Sequence, residues 1–297
     1  MSTIVPLSVR TFPSPAKVNL FLAVTGRRTD GYHDLLSLVA PLDWGDSLEV
    51  EPAPSMAVDC DMPGVPLGAD NLVARAAAAF AEATGWLGGA SIRIRKVVPM
   101  GAGLGGASSN AAAALRALNL MAGGPLSEAA LSLLASRVGS DCPLFLSGRP
   151  VVMRGRGEIV EAVPSAALGR IRGTRLLVFK PAFPVATPWA YGVLAATPGS
   201  YVDPARAEEM LSGWMAGGSG LGDLLYNSME RAVFPKYPAL PVLLRELRGR
   251  FGLAAVMSGS GSACLAVLPE GLDAAPVAEA VRRAWGPSAF IREGAIS

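Results

Sequence analysis

The sequence holds a single histidine, His33, and only three cysteines among its 297 residues. One histidine excludes a histidine-rich metal site, and a Ser-His-Asp triad would have to use His33. Cys60, Cys142 and Cys264 are odd in number, far apart and without C-x-x-C spacing, which argues against a disulfide framework or a structural zinc site. We therefore expect a reducing compartment and chemistry carried by carboxylate, lysine, hydroxyl or backbone groups.

Charge is also scarce. Charged residues make up 17% of the chain, compared with about 25% in an average protein. The 26 basic and 24 acidic residues leave a formal net charge of +2, which argues against nucleic acid or an acidic membrane as a partner. Any bound anion is therefore expected to be held locally. Hydrophobic residues reach 51%, enough for the cores of about two domains.

Membrane and export signals are missing as well. The first twenty residues contain Arg10, Lys17 and three prolines but no apolar core of a secretory signal. The uncharged stretches 97–115 and 251–269 are each long enough to cross a bilayer, which takes about 20 residues. Glycine and serine runs interrupt both, which a membrane-spanning helix disfavours. We expect a cytoplasmic protein without a membrane partner, active as a monomer or homodimer.

Hydrophobic periodicity predicts both strands and helices along the whole chain. The predicted strands are 17–24, 35–42, 47–50, 91–97, 175–179, 253–257 and 263–268; the predicted helices are 71–83, 109–120, 127–138, 240–251 and 277–285. A turn is expected at 26–31 and a mobile segment at 201–225. The elements lack the regular alternation of a doubly wound sheet, which favours an α+β protein with mixed or antiparallel sheets and a domain boundary near 149–172.

The strongest local signal is the glycine-rich segment 99–110, PMGAGLGGASSN, between a strand and an alanine-rich helix. Glycines permit positive φ and close approach of a ligand, and the helix start offers unpaired N–H groups and a positive dipole end. These features favour a phosphate-binding loop, with a structural glycine turn as the alternative. Ala107 stands where a Walker A loop requires lysine. A Rossmann fold is disfavoured because helix 127–138 replaces its second strand.

Two charged residues have apolar neighbours. Asp141 follows a helix end and is either the N-cap of the next helical turn or a semi-buried general base. Lys17 is one of only four lysines beside 22 arginines, and is either a solvated strand residue or a functional amine.

Two further segments carry suitable residue types. Tyr32 and His33 follow an Asp-Gly turn, where an aromatic ring and an imidazole can hold a flat ligand, unless they only pack or lie on the surface. The segment 258–262, SGSGS, is a second glycine loop or a long hairpin connection.

Together these segments resemble the superfamily of galactokinase, homoserine kinase, mevalonate kinase and phosphomevalonate kinase, whose glycine loop has the form P-x-x-x-G-L-G-S-S-A or a close variant. Within that superfamily, five segments are similar in order and spacing to the 4-diphosphocytidyl-2-C-methyl-D-erythritol kinases over nearly the whole chain. They are SPAKVNLFL (14–22), GRRTDGYHDL (26–35), the glycine loop, GSDCPLFL (139–146) and MSGSGSACLAV (257–267).

The resemblance implies a two-domain α+β small-molecule kinase fold. Residues 1–160 would form an N-terminal ATP-binding and catalytic domain similar to domain 2 of ribosomal protein S5, and residues 161–297 a ferredoxin-like, substrate-binding domain. It also implies ATP- and Mg²⁺-dependent phosphorylation of the 2-hydroxyl of a cytidine diphosphate-linked methylerythritol, a step of the non-mevalonate route to isoprenoid precursors. Another kinase of the superfamily, acting on homoserine, mevalonate or a sugar, and a non-catalytic nucleotide sensor remain the alternatives.

The resemblance also assigns residues. Asp141 matches the catalytic aspartate and Lys17 the catalytic lysine. Asn19, Thr187 and Tyr191 match substrate contacts, and Tyr32 and His33 match the residues that hold the cytosine. The ATP-binding residues would be Pro99, Met100, Gly101, Ala102, Gly103, Leu104, Gly105, Gly106, Ala107, Ser108 and Ser109. Ala107 replaces a glycine of many members, residues 192–223 match no known pattern, and the Mg²⁺ ligands stay open.

Overall fold

A computed structural model describes residues 9–217 and 219–297. Contacts within the chain divide it into two compact units. Of the described residues, the first unit combines 9–16 with 44–98 and 105–148, and the second combines 17–43, 99–104, 149–217 and 219–297. The division predicted from the sequence, 1–160 and 161–297, stays a prediction.

Two long strands, β1 (Arg10–Arg27) and β2 (His33–Ala53), contribute residues to both units. The turn predicted between them is confirmed, since the amide of Arg28 donates to the carbonyl of Tyr32 at 2.8 Å. The prediction of two short strands at 35–42 and 47–50 was wrong, because β2 continues through both. At Gly45 a Cβ would lie 2.2 Å from the carbonyl oxygen of Ser14, so this glycine permits close backbone approach and does not end the strand.

The first unit packs helices against a small sheet. Its further elements are β3 (Ala57–Cys60), α1 (Leu72–Thr84), β4 (Gly89–Arg95), α2 (Gly106–Met121), α3 (Glu128–Val138) and α4 (Cys142–Ser147). β4 pairs antiparallel with β2 and parallel with β3. Alternate β4 residues Ile92 and Ile94 are buried against Phe80 of α1 and Leu115 of α2, each contributing about 1.5–3 kcal/mol to stability. The helices predicted here are confirmed, with Asn71 capping α1.

The second unit contains the remaining elements. They are β5 (Val151–Arg154), β6 (Ile159–Ala162), α5 (Ser165–Ile171), β7 (Arg175–Lys180), α6 (Thr187–Ala196), α7 (Pro204–Ala216), α8 (Leu221–Leu224), β8 (Tyr226–Asn227), α9 (Glu230–Val233), α10 (Ala239–Phe251), β9 (Ala255–Met257), β10 (Cys264–Val267), α11 (Ala275–Trp285) and β11 (Phe290–Ala295). β5 and β6 form a hairpin on β2, and β8 pairs parallel with β1. The expected mixture of parallel and antiparallel pairing is confirmed.

A second sheet in this unit has the order β11-β7-β10-β9, with every pair antiparallel. Along the chain, β7, α10, β9, β10, α11 and β11 give the sequence strand, helix, strand, strand, helix, strand, which is the ferredoxin-like arrangement. α10 ends at Gly252 in the left-handed conformation, as its sequence predicts. The helices bury Leu243, Leu247 and Val281 against the sheet.

The segment 201–225, expected to be mobile, contains the helices α7 and α8. Asp203 accepts a hydrogen bond from the amide of Arg206 at 2.9 Å and Pro204 occupies the first turn, which together start α7. Leu211 and Trp214 are buried on its inner face. The glycines and serines that the structure describes between 211 and 225 lie in α7, in α8 or directly between them. No helix in the described part of the chain is both long and apolar enough to cross a membrane.

Candidate active site

β1 presents Lys17 and Asn19 on one face, because residues two apart in a strand point to the same side. Lys17 is only 5% exposed, and its Nζ donates to Asn19 Oδ1 at 2.6 Å. Asn19 Nδ2 in turn donates to Ser37 Oγ of β2 at 2.8 Å. The alternative of a solvated strand lysine is therefore wrong. β1 holds a buried ammonium whose direction is fixed by an amide oxygen.

The first part of the glycine loop, residues 99–104, lies against β1 and the SGSGS segment. The amide of Lys17 donates to the carbonyl of Leu104 at 2.9 Å, and the amide of Ala263 donates to the carbonyl of Ala102 at 3.0 Å. Ser258 Oγ lies 3.3 Å from the carbonyl oxygen of Gly103 and accepts from the amide of Asn19 at 3.1 Å. The SGSGS segment is thus both the connection between β9 and β10 and a support for the loop.

Glycine is required where these segments meet. Gly103 has φ +77°, and a Cβ there would lie 2.4 Å from the carbonyl oxygen of Ser258. Gly259 has φ +59°, and a Cβ there would lie 3.4 Å from the carbonyl oxygen of Gly103 and 3.5 Å from Lys17 Nζ. The second glycine loop therefore brings its backbone next to both the first loop and the buried ammonium.

The remaining part of the glycine loop belongs to the first unit and opens α2. Gly105 precedes the helix with φ +71° and gives no side-chain cap, and the first turn of α2 contains no acidic residue. The first amides of α2 consequently have no side-chain acceptor from Gly105 and carry the positive end of the helix dipole. Ser109 Oγ is buried without a hydrogen-bond partner among the described residues. This helix start offers donors and one hydroxyl to an anionic ligand.

A buried polar cluster that the sequence did not reveal supports this helix start. Asp46 Oδ1 accepts from the amides of Val97 and Val98, both at 2.7 Å. Its Oδ2 accepts from Asn110 Nδ2 at 3.0 Å and forms an ion pair with Lys96. The cluster joins the exit of β4 to the first turns of α2. Its only signal in the sequence is that Lys96 is another of the rare lysines.

Asp141 lies between α3 and α4 and is half-buried. It occupies the N-cap position of α4 but makes no side-chain capping bond, so the N-cap alternative is not supported. Burial raises the pKa of the neighbouring Cys142 thiol to about 12, and Ser108 of the glycine loop opposes that rise. A Cβ on Gly139 would lie 3.9 Å from Ser108 Oγ. The segment 139–142 therefore packs beside the loop within the first unit.

Two tyrosine rings lie beside the single histidine. The His33 ring lies 4.8 Å from the Tyr191 ring and 6.0 Å from the Tyr201 ring, measured between centroids. His33 Nε2 and Tyr201 Oη are both buried without a hydrogen-bond partner in the described part of the chain. Burial and, to a lesser extent, the charge of Arg27 lower the pKa of His33, which favours the neutral imidazole. Tyr201 belongs to the stretch 192–223 that matched no pattern.

The other predicted substrate residues lie in the same unit. Tyr32 is 54% exposed, so its ring is open to a ligand. Thr187, the first residue of α6, has its Oγ1 2.7 Å from Ser260 Oγ of the SGSGS segment. The second unit thus brings Lys17, Asn19, Thr187 and loop residues 99–104 to one glycine-rich segment. Asp141 and loop residues 105–109 belong to the first unit.

Comparison with known proteins identifies two kinase domains in this chain. The model of the GHMP kinases N terminal domain matches residues 71–149, and that of the GHMP kinases C terminal domain matches residues 216–287. A protein named 4-diphosphocytidyl-2-C-methyl-D-erythritol kinase from Synechococcus sp. (strain CC9311) is 37% identical over 291 residues, which covers 93% of this chain and 92% of the relative.

Solved kinase structures superpose on nearly the whole chain. A crystal structure of 4-(cytidine 5'-diphospho)-2C-methyl-D-erythritol kinase superposes with a TM-score of 0.76 and 36% identity, covering 97% of this chain and 100% of that one. Homoserine kinase from Cytophaga hutchinsonii has a TM-score of 0.75 at 18% identity, covering 100% of this chain and 97% of that one, and shares the fold. The predicted two-domain α+β kinase fold is confirmed. The chain belongs to the GHMP kinases and, within them, to the 4-diphosphocytidyl-2-C-methyl-D-erythritol kinase family.

Proposed function

We propose that this chain transfers the γ-phosphoryl group of ATP to the 2-hydroxyl of 4-diphosphocytidyl-2-C-methyl-D-erythritol, giving the 2-phosphate and ADP, in the non-mevalonate route to isoprenoid precursors. The observation that carries the proposal is the buried Lys17 ammonium, which is held by Asn19 at 2.6 Å on a strand bonded to the glycine loop. Such an arrangement supports a fixed cation beside a backbone segment that would bind phosphate.

The transfer needs in-line positioning and neutralisation of charge more than covalent help from the protein. The acceptor oxygen forms a bond to the γ-phosphorus while the bond from that phosphorus to the bridging oxygen of ADP breaks. Asp141 takes the proton of the hydroxyl, and Lys17 stabilises the negative charge that develops on the acceptor oxygen. Asp141 and Lys17 belong to different units, so their approach to one hydroxyl is part of the proposal.

ATP is held by the glycine loop, residues 99–109. Gly101, Gly103 and Gly105 all have positive φ, which glycine adopts readily. Because glycine has no side chain, nothing stands between this backbone and the triphosphate. The first amides of α2 then donate to phosphate oxygens at the positive end of the helix dipole. Most of the binding is supplied by main-chain groups, which is consistent with the small net charge of the whole chain.

Mg²⁺ fits the donor set of this site. Three or more clustered His, Cys, Asp or Glu side chains are not found within 9–217 and 219–297, and Mg²⁺ bound to a nucleotide needs only one or two protein ligands besides phosphates and water. The buried hydroxyl of Ser109, which has no hydrogen-bond partner in the described ranges, offers one oxygen at the start of α2. When bound, Mg²⁺ neutralises charge on the β- and γ-phosphates.

The cytidine end of the substrate is proposed to bind to the side chains of Tyr32, His33 and Tyr191. Tyr32 and Tyr191 offer ring faces on which cytosine stacks. The neutral His33 has a buried Nε2 without a partner among the residues that the structure describes, and a hydrogen bond to the cytosine edge would satisfy it. We infer that Asn19 and Thr187 contact the remainder of the substrate, which is supported by their shared contacts with the SGSGS segment.

We also infer a cytoplasmic location and activity as a monomer or homodimer. The cysteines support a reducing compartment: all three are free thiols, and Cys142 and Cys264 are buried.

A panel of acceptors tests the proposed substrate. The purified chain is given ATP and Mg²⁺ with the cytidine diphosphate substrate, homoserine, mevalonate or galactose, and ADP release is followed. We expect turnover with the first acceptor only. Comparable kcat/KM with another acceptor would assign the chain to a different kinase activity, and ATP binding without any transfer would support the nucleotide sensor.

A further inference from the structure

The exposed ring of Tyr32 has a partner that no motif predicted. The guanidinium carbon of Arg156 lies 4.7 Å from the centroid of this ring, within the range of a cation–π contact. Both residues belong to the second unit. Tyr32 is 54% exposed, so without this contact its side chain would be free to change rotamer.

The turn between β5 and β6 carries Arg156 to this position. The amide of Leu35 donates to the carbonyl of Gly155 at 2.8 Å, which ties the turn to β2 just after His33. The amide of Arg156 donates to Glu158 Oε2 at 2.5 Å, which fixes the turn from within. Arg156 Nε lies 4.0 Å from Glu158 Oε1, too far for a hydrogen bond. The guanidinium therefore has a cation–π contact with Tyr32 and an ion pair with Glu158 that is too long to include a hydrogen bond.

We propose that Arg156 is a positioning residue of the cytosine site: stacked on one face of Tyr32, it holds the ring with the opposite face open to the base. This inference rests on the proposed function of Tyr32. A ligand that binds an ordered ring does not have to immobilise it first. Less conformational entropy is lost on binding, and the affinity is therefore higher. The cation also withdraws electron density from the ring, which suits stacking by the second face.

Among the described residues, the acidic side chains near the ring have partners other than the guanidinium of Arg156 or lie at a long distance from it. Asp30 and Asp34 both pair with Arg28, at 3.4 Å and 3.0 Å. Glu158 uses Oε2 to accept from the amide of Arg156, and its Oε1 lies 4.0 Å from the guanidinium. The guanidinium of Arg156 can therefore keep its cation–π contact with the Tyr32 ring.

A double-mutant cycle tests the proposal with CDP as the ligand, its Kd measured by calorimetry on the full chain. We expect Arg156→Ala to weaken CDP binding about 2- to 5-fold, the value of an exposed cation–π contact. In the Tyr32→Ala background the same substitution should have no effect, because the ring on which it acts is gone. ATP binding should stay unchanged in every variant, which a general loss of structure would not allow.

Arg154→Ala is the matched control. It removes an arginine from the same hairpin, where Arg154 pairs with Glu161 at 2.8 Å, and should bind CDP as the wild type does.

The outcomes separate the inference from the function on which it rests. Equal weakening by Arg156→Ala with and without Tyr32 would mean that the guanidinium acts on the diphosphate, and would overturn the proposal. Normal CDP binding by Arg156→Ala, with weakened binding by Tyr32→Ala, would overturn the inference alone. Normal CDP binding by Tyr32→Ala would overturn the cytosine site itself.

Discussion

Lys17 Nζ lies 2.6 Å from Asn19 Oδ1, and both side chains are buried on the same face of β1. A buried ammonium is costly unless polar partners surround it. Asn19 supplies one such partner and is itself held by a hydrogen bond to Ser37 at 2.8 Å. The pair therefore keeps a charge in a fixed direction beside the glycine loop, as expected of a group that stabilises a developing negative charge.

Lys17→Met should lower kcat by about 10²- to 10³-fold, the usual cost of removing one electrostatic stabiliser of a transition state. The KM for ATP should change little, since the loop that holds ATP remains. Steady-state kinetics with both substrates check this. Lys236→Met removes an exposed lysine and is expected to stay within about twofold of the wild type. A similar kcat for the two variants would contradict a catalytic role for Lys17.

Asp141→Asn should lower kcat by about 10²- to 10⁴-fold, because the amide cannot accept the proton of the acceptor hydroxyl. Binding of ATP, measured by calorimetry, should survive. Asp70→Asn changes an exposed aspartate in the same unit and serves as the control. Near-normal turnover of Asp141→Asn would remove this residue from the mechanism.

Tyr32→Ala should raise the KM for the cytidine substrate about 5- to 150-fold, which corresponds to the loss of one stacking contact. The KM for ATP should be unchanged. Initial rates at varied concentrations of each substrate separate the two effects. An unchanged KM for the cytidine substrate would show that the base does not stack on this ring.

Local patterns in the sequence predicted much of this site. The glycine loop and the Asp-Gly turn before Tyr32 are each specified by neighbouring residues. Asp141 and Lys17 were candidates because of their apolar neighbours, and the resemblance to a kinase family assigned a role to both and added Asn19. For Lys17, the sequence alone favoured a solvated side chain, because burial depends on segments that pack on β1 from distant parts of the chain.

Other parts of the site depend on contacts that are remote in sequence. Asp46 and Asn110 meet across 64 positions, and Arg156 reaches Tyr32 only because β5 pairs with β2. Tyr201 lies in a glycine- and serine-rich stretch that was expected to be mobile, just before α7, of which one side is buried. No local period marks such residues, so the sequence alone could not assign them.

Gly103→Ala should both destabilise the protein and weaken ATP binding. The positive φ costs an alanine about 1–2 kcal/mol, and its Cβ would also lie 2.4 Å from the carbonyl oxygen of Ser258. Gly199→Ala is the matched control, since φ is +67° there and nothing lies within 4 Å of the added Cβ. Thermal unfolding and ATP titration should show a larger loss for Gly103→Ala. Equal losses would mean that close packing of the loop does not matter.

His33 should make stability fall as the pH falls. Burial, and then the charge of Arg27, lower its pKa below the ordinary value of 6.5, so the unfolded chain binds the proton first. The free energy of unfolding contributed by His33 is therefore complete above pH 6.5 and decreases below it until the folded state is also protonated. Urea unfolding at several pH values, compared between wild type and His33→Gln, measures this difference. A pH dependence that is identical in the two proteins would contradict a neutral, half-buried imidazole at His33 in the folded protein.

Transfer of labelled phosphate tests the central claim most directly. ATP carrying a labelled γ-phosphate is mixed with Mg²⁺, the chain and 4-diphosphocytidyl-2-C-methyl-D-erythritol, and the product is identified by its mass and its phosphorus spectrum. The account predicts one label per ADP released, on the 2-hydroxyl of the methylerythritol. Label that stays on ATP, or that appears only as inorganic phosphate, would contradict it.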